Sequence, residues 1–363
     1  MRILIIINSL AGGGAEKLIS DLAPRFMSDK HSVEILVMSG ENSKYADALK
    51  EKGIHVAVLS TDSHIKRIFI IRKYIRRGNF DVVHANLFPV IYYVILSSLF
   101  LRGKPLLVMT EHSTDNKRRR KEYLRPIEKF IYRHYDRIIR ISPMAEKNLQ
   151  SWLRLPEKYN LRFHIVDNGI STKEYAEKSG YDKTEIFPDI RKDDILLGMV
   201  GSFSQQKNHK GMLHIMAVLP EKYKLVLVGE GPLILRIRDK AAQMGLSRRI
   251  SILGYRKDIA EIFHTIDILV IPSLWEGFGL IAVEAMACGT PVVASNVPGL
   301  AGVVADCGLL AEPTNIEEFA LQIQRLEDTD LYCDFVNKGR KRAERFDISN
   351  TVKGYEKIYK GES

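Results

Sequence analysis

Short runs of Ile, Val and Leu recur along the chain, each separated from the next by a longer segment of helical period. They fall at 2–8, 33–38, 54–59, 80–84, 105–110, 136–141 and 163–167. After a polar stretch they resume at 195–200, 224–228, 250–253, 267–271 and 291–294. A run that is apolar at successive positions leaves no face for water, so it suits a strand of a parallel sheet covered by helices on both sides. Strands alternating with helices give the α/β class. The gap at 171–194 (STKEYAEKSGYDKTEIFPDIRKDD) lacks apolar period and reads as a linker. At roughly 100–200 residues per domain, 363 residues make two domains. The expected architecture is therefore two doubly wound, Rossmann-like parallel-sheet domains facing across a cleft: 1–172, a linker 173–194, and 195–347.

The first run has only five consecutive Ile/Leu residues, too few for a secretory leader. The longest apolar stretch, 87–101, has 15 residues and contains Pro89, short of the ~18–20 needed to span a bilayer. It reads as a buried helix. Three cysteines without CxxC spacing give neither a disulfide framework nor a zinc site, and point to a reducing, cytoplasmic compartment. Charge is uneven. The chain carries +10 overall, yet 64–140 alone holds 18 Lys/Arg against six Asp/Glu, an excess of 12. Such a localised basic face implies an anionic partner.

Ligands of doubly wound sheets sit beyond the carboxyl ends of the strands. After the first strand come Gly12, Gly13 and Gly14, whose bare N–H groups suit an anion at a helix start, although a tight turn alone would explain them. Lys17 stands where the dinucleotide fingerprint needs its third glycine. After the strand at 195–200, a polar loop carries Ser202 and Lys207, a cation able to pair with phosphate or simply to face solvent. The most informative segment is 273–291 (SLWEGFGLIAVEAMACGTP). Gly277 and Gly279 open a helix that Gly289 closes, and Glu284 lies among Ala, Val and Met. A semi-buried carboxylate there needs hydrogen-bond partners. The vicinal hydroxyls of a ribose would supply them, as would a nearby arginine. Glu276 sits eight residues earlier in the loop.

This segment resembles the E-x7-E signature of the retaining glycosyltransferases of family four, which have the two-Rossmann GT-B fold. The similarity runs along nearly the whole chain: Gly12–Gly14, His84 and His112 after their strands, Asn168-Gly169, Lys207, Gly229-Glu230-Gly231-Pro232 and Glu276…Glu284 occur in the family's order. It implies that Lys207 binds the donor diphosphate with Gly13 and Gly14, that Glu284 holds the ribose, and that Glu276 contacts the donor sugar. It also implies that Gly277, Phe278, Gly279 and Leu280 supply backbone donors, that Tyr255 and Arg256 flank the base, and that His112 sits beside the transferred sugar. The family's arginine after the glycine matching Gly201 is replaced by Ser202, so Lys207, Lys210 or Arg256 must carry more of the charge. The helix 348–360 resembles the segment that returns to the first domain.

Cleaving a glycosyl–phosphate bond builds negative charge on the leaving diphosphate, which lysine, glycine amides and a helix dipole can stabilise without a metal. The only DxD, Asp328-Thr329-Asp330, follows a charged helical segment and reads as a solvated turn. No cofactor and no metal are expected. The resemblance implies retention by front-face attack. The expected activity is transfer of a hexose or N-acetylhexosamine from a nucleoside-diphosphate sugar, UDP favoured, to a glycan acceptor linked to polyprenyl diphosphate. The expected location is the cytoplasmic face of the plasma membrane, with the basic stretch 117–137 docked on anionic lipid. Nucleic acid is not an expected partner, since no recognition motif accompanies the charge. An epimerase of the same fold or a non-catalytic sugar-nucleotide-binding subunit are the alternatives.

Overall fold

The computed structural model describes residues 1–11, 13–40, 43, 45–59, 61–99, 101, 103–112, 121–141 and 149–362. Gly12 and the 117–120 part of the basic stretch lie outside the described residues. The chain divides into two units, residues 1–169 with 348–363, and residues 170–347.

The first unit is built on β1 (Arg2–Ile7), β2 (Ser32–Val37), β3 (His55–Val58), β4 (Val82–Asn86), β5 (Leu106–Glu111), β6 (Arg137–Arg140) and β7 (Phe163–Ile165), all parallel, in the order β3-β2-β1-β4-β5-β6-β7. Side chains alternate between the two faces of a strand. Ile3, Ile5 and Ile7 accordingly pack with the helices Gly14–Ser28 and Ile348–Lys360, while Leu4 and Ile6 pack with His64–Gly78 and Val90–Ser98. All five are fully buried. Their uninterrupted apolarity is therefore needed to fill both layers. The helix within the 87–101 stretch is shorter than expected because the backbone of Leu87, at φ 66°, is left-handed and Pro89 precedes its first turn.

The second unit has β8 (Ile195–Val200), β9 (Tyr223–Val228), β10 (Ile250–Gly254), β11 (Ile268–Ile271), β12 (Val292–Ser295) and β13 (Leu309–Ala311), again parallel, ordered β10-β9-β8-β11-β12-β13. In each sheet the order reverses direction beside its first strand, between β1 and β4 and between β8 and β11. These are the points where loops leave on opposite sides and open a crevice for a ligand.

Two expectations need correction. Residues 173–194 are not a free linker. They carry the short helices Thr172–Ala176 and Lys183–Ile186 and pack into the second unit. Tyr175 O bonds His264, the Tyr181 N–H donates to Thr265 Oγ1 at 2.8 Å, and Lys183 pairs with Asp267 at 2.6 Å. Ile186 and Phe187 are buried, two anchors too few for a helical pattern. His84 does not follow a strand but lies inside β4, 1% exposed. Its Nδ1 bonds the Tyr359 hydroxyl and its Nε2 the Thr110 hydroxyl, each at 2.8 Å, so it fastens helix 348–360 to the sheet. As expected, Asp328 and Asp330 are exposed where the chain turns, and the Asp328 side chain accepts from the Leu331 N–H at 3.0 Å to cap the helix Thr329–Arg345.

Candidate functional site

At the reversal point of the second sheet, the loops after β8 and β11 meet. Lys207, in the loop after β8, places its Nζ 2.5 Å from Glu276 Oε1 in the loop after β11. Ser273 donates to the same oxygen at 2.8 Å. Gln206 Nε2 reaches Glu276 Oε2 at 3.4 Å and the Trp275 carbonyl at 3.0 Å, and the Leu274 N–H donates to Gln206 O at 2.8 Å. Glu276 is 7% exposed. Its burial is tolerable because a cation and a hydroxyl hold one oxygen. Ser273 and Gln206 were not among the expected residues. Only the spacing of Ser273, three before Glu276 in a turn, hints at its role.

The loop owes its path to glycines. Gly279, at φ 101°, precedes the helix Leu280–Cys288, and Gly289, at φ 82°, ends it. Gly299, at φ 89°, lies under the loop: a Cβ there would stand 2.7 Å from Gly277 O and 2.9 Å from Glu276 O. Phe278 is buried and meets Phe346 edge-on at 5.4 Å, so its side chain is core and only its backbone is available to a ligand. Leu280 is the first residue of the helix and Glu284 lies on its second turn, 8% exposed.

Loops after β8, β9 and β10 are stitched together. The Gly229 N–H donates to Gly254 O at 2.8 Å, the Phe203 N–H to Glu230 O at 2.8 Å, and the Leu233 N–H to Phe203 O at 3.2 Å. Ser202 is exposed, its hydroxyl 3.3 Å from that of Ser204. Beyond β10, Tyr255 is 37% exposed. Arg256, expected to be a spare cation for a phosphate, is already paired: both prongs of its guanidinium bind Asp258, which also accepts from the Tyr181 hydroxyl at 2.5 Å. The Arg256 bonds hold the Asp258 carboxyl well below the usual carboxylate range. Lys210 is exposed on the first turn of the helix His209–Val218.

In the first unit, the helix after β1 starts from Gly13 with no side-chain cap. A Cβ on Gly14 would meet no protein atom within 4 Å, and one on Gly13 would meet only the end of the Glu16 side chain. Neither glycine is thus dictated by packing within this unit. His112 follows β5 directly. Its Nε2 lies 2.9 Å from Asn86 Oδ1, and burial pushes its pKa down to about 4, so the ring is neutral at pH 7. Among the described residues, no group of three His, Cys, Asp or Glu side chains could hold a metal ion. No helix among them is long and apolar enough to cross a membrane.

Residues 12–174 match the family model described as Glycosyltransferase Family 4, and residues 182–342 the model described as Glycosyl transferases group 1. The chain is 26% identical over 358 residues to the N-acetylgalactosamine-N,N'-diacetylbacillosaminyl-diphospho-undecaprenol 4-alpha-N-acetylgalactosaminyltransferase of Campylobacter jejuni, covering 94% of this chain and 95% of that protein. It is 26% identical over 321 residues to the UDP-Gal:alpha-D-GlcNAc-diphosphoundecaprenol alpha-1,3-galactosyltransferase of Escherichia coli, covering 83% and 80%. Among solved structures, HepE of Anabaena in complex with UDP-glucose superposes with a TM-score of 0.86 at 19% identity, covering 99% of this chain and all of that one. A glycosyltransferase of Rickettsia africae gives 0.86 at 18%, covering 99% and 98%. At these identities the likeness is one of fold.

Proposed function

Since the chain is a glycosyltransferase of the GT-B fold, a Family 4 region followed by a group 1 region, we propose that it moves a hexose or N-acetylhexosamine from a UDP-sugar to a glycan carried on a polyprenyl diphosphate, with retention of anomeric configuration. The observation that carries the reading is the Lys207–Glu276–Ser273 cluster at the reversal of the second sheet, followed at once by the helix bearing Glu284. The names of the Campylobacter and Escherichia relatives, both acting on diphospho-undecaprenol glycans, support the acceptor class. The UDP-glucose held by HepE supports the donor.

In this reading Lys207 meets the donor diphosphate and Glu276 meets the sugar. The two neutralise one another at 2.5 Å, and the lysine, already held against a buried carboxylate, has little solvation left to lose to a phosphate. The N–H groups of Gly277, Phe278, Gly279 and Leu280 add fixed dipoles at a helix start, where charge develops on the leaving diphosphate. Glu284 accepts from the two ribose hydroxyls, at roughly 1.5–3 kcal/mol for each hydrogen bond to a charged group. Tyr255 flanks the base. Gly13 and Gly14 leave their backbone open to the diphosphate, consistent with the empty space above Gly14. His112 meets the transferred sugar. No carboxylate is assigned as a covalent nucleophile, so retention proceeds by attack from the face the diphosphate leaves, with the donor phosphate taking the acceptor's proton. No metal or cofactor takes part. The enzyme works on the inner face of the plasma membrane, the lipid-linked acceptor being reached where its basic residues meet anionic lipid.

A thermal-shift panel of UDP, GDP and ADP in EDTA tests the donor site. We expect stabilisation by UDP alone, undiminished by the chelator, and lost in Glu284→Ala and Glu284→Gln. A flat panel, or a UDP shift that persists in both variants, refutes the assignment.

A further inference from the structure

We propose that Asn86 is a positioning residue that holds His112 as its Nε2–H tautomer, so that the Nδ1 lone pair is left to accept a hydroxyl of the transferred sugar. The inference rests on the reading above that His112 meets that sugar, but the tautomer itself does not.

Four side chains meet because strand side chains repeat every two residues. His84 and Asn86 share one face of β4, Thr110 on β5 and His112 just past its end continue the same side, and Asn86 pairs in register with Thr110. The Asn86 side chain is fully buried between two partners. Its Nδ2 donates to the His84 carbonyl at 3.4 Å, and its Oδ1 faces His112 Nε2 at 2.9 Å. Turning the amide over would set its oxygen against the His84 carbonyl oxygen, two acceptors in contact. With the oxygen toward His112, Nε2 must carry the proton, because a bare Nε2 would again oppose lone pair to lone pair.

The other ring nitrogen is then an acceptor. His112 Nδ1 is out of contact with solvent and has no hydrogen-bond partner among the described residues. A buried acceptor left unfilled is costly, which marks it as a place for a donor that arrives with the substrate. A sugar hydroxyl is such a donor. The neutrality of the ring keeps the lone pair available, since burial leaves its pKa at about 4. The strand beneath is held in place by His84, whose two nitrogens bond Tyr359 and Thr110, with Thr110 also 3.2 Å from the Tyr355 hydroxyl.

The test uses the full chain labelled with 15N-histidine at pH 8, together with UDP release from UDP-glucose, UDP-galactose and UDP-N-acetylglucosamine. In the wild type, the His112 signals are expected to report protonated Nε2 and bare Nδ1. Asn86→Leu should give a mixed tautomer pattern and about ten-fold slower UDP release, the size of one lost hydrogen bond in the transition state, with UDP affinity changed by less than about two-fold. A protonated Nδ1 in the wild type overturns the proposal. So does Asn86→Leu at the wild-type rate or with the wild-type tautomer unmixed. A wild type that releases UDP from none of the three donors counts against the glycosyl-donor reading, while the nitrogen spectrum, which needs no nucleotide, still decides the tautomer.

Discussion

Burial holds three histidines neutral: it lowers the pKa of His84 to about 3, with His112 adding to the effect, and those of His112 and His209 to about 4, Lys207 contributing in the last case. The unfolded chain binds protons near the ordinary histidine value of about 6.5. As the pH falls below that value, the unfolded state therefore takes up protons that the folded state refuses, and stability declines. The contribution is fully present above about 6.5 and is lost toward the folded values near 4 and 3. Each histidine should cost up to about 2–3 kcal/mol by pH 4.5. Denaturant midpoints at pH 7.5 and pH 4.5 should show the decline, and His84→Gln should flatten it. An acid-side curve as steep in the variant as in the wild type would contradict this account of His84. Single residues were legible in the sequence where chemistry forced an odd residue type into an odd place, as with Glu284 among alanines. Asn86 was not, because its role depends on His112, 26 residues away, which only the pairing of β4 with β5 brings beside it. Gln206 was not, because its partner is 70 residues away.

Loops at the carboxyl edge of the second sheet pack backbone against backbone, and glycine is what lets them. A Cβ on Gly229, at φ 139°, would stand 2.0 Å from Gly201 O, and one on Gly231, at φ 154°, would stand 2.7 Å from Phe203 N and O. Neither neighbour is a flexible side-chain end, so the chain itself must shift. Gly229→Ala should therefore lower the thermal midpoint of the second unit and weaken UDP binding together, because Gly201 leads into the Lys207 loop. Gly245→Ala is the control: its φ of 72° is also left-handed, but a Cβ there meets nothing within 4 Å. It should cost stability alone. Calorimetry with and without UDP reads both effects, and UDP binding equally weakened in the two variants would show that the crowding at Gly201 is irrelevant. At this scale the sequence was most readable. Long apolar runs announced β1 and β8, whereas β13, three residues long, has too few positions to display a period. The helices within 173–194 went unseen for the same reason, being four and five residues long. Beyond the two buried anchors Ile186 and Phe187, they are held by polar contacts: the Asp182–Glu185 capping box and the Lys183–Asp267 pair.

Across the whole molecule, charge was legible from composition, but its disposition was not. Of the described residues in the basic stretch, Arg125 pairs with Glu122 at 2.8 Å and lies over Trp152, while Arg133 lies over the neutral ring of Tyr159. Beside them Tyr123, Ile127 and Phe130 are exposed by 70%, 49% and 44%. On the helix 64–78, Ile65 and Phe69 are exposed by 68% and 66%, next to exposed Lys66, Lys73, Arg76 and Arg77. Membrane docking should thus combine about 1 kcal/mol for each lysine or arginine near anionic lipid with burial of aromatic side chains. We expect pelleting with vesicles containing phosphatidylglycerol that weakens with salt, and that is reduced at every salt concentration by Phe69→Ser with Phe130→Ser. Equal binding to vesicles of neutral lipid alone would remove the electrostatic half of the proposal.

The helix 348–360 belongs to the first unit, yet all of 170–347 is translated before it. Tyr355 and Tyr359, which complete the polar knot around His84 beneath Asn86, therefore reach it only after residues 170–347 have emerged from the ribosome. On a nascent chain the amino-terminal half waits, its sheet lacking one covering helix, while the half made later can finish first. The polar knot beneath Asn86 can therefore close only after the chain of the second unit has been made.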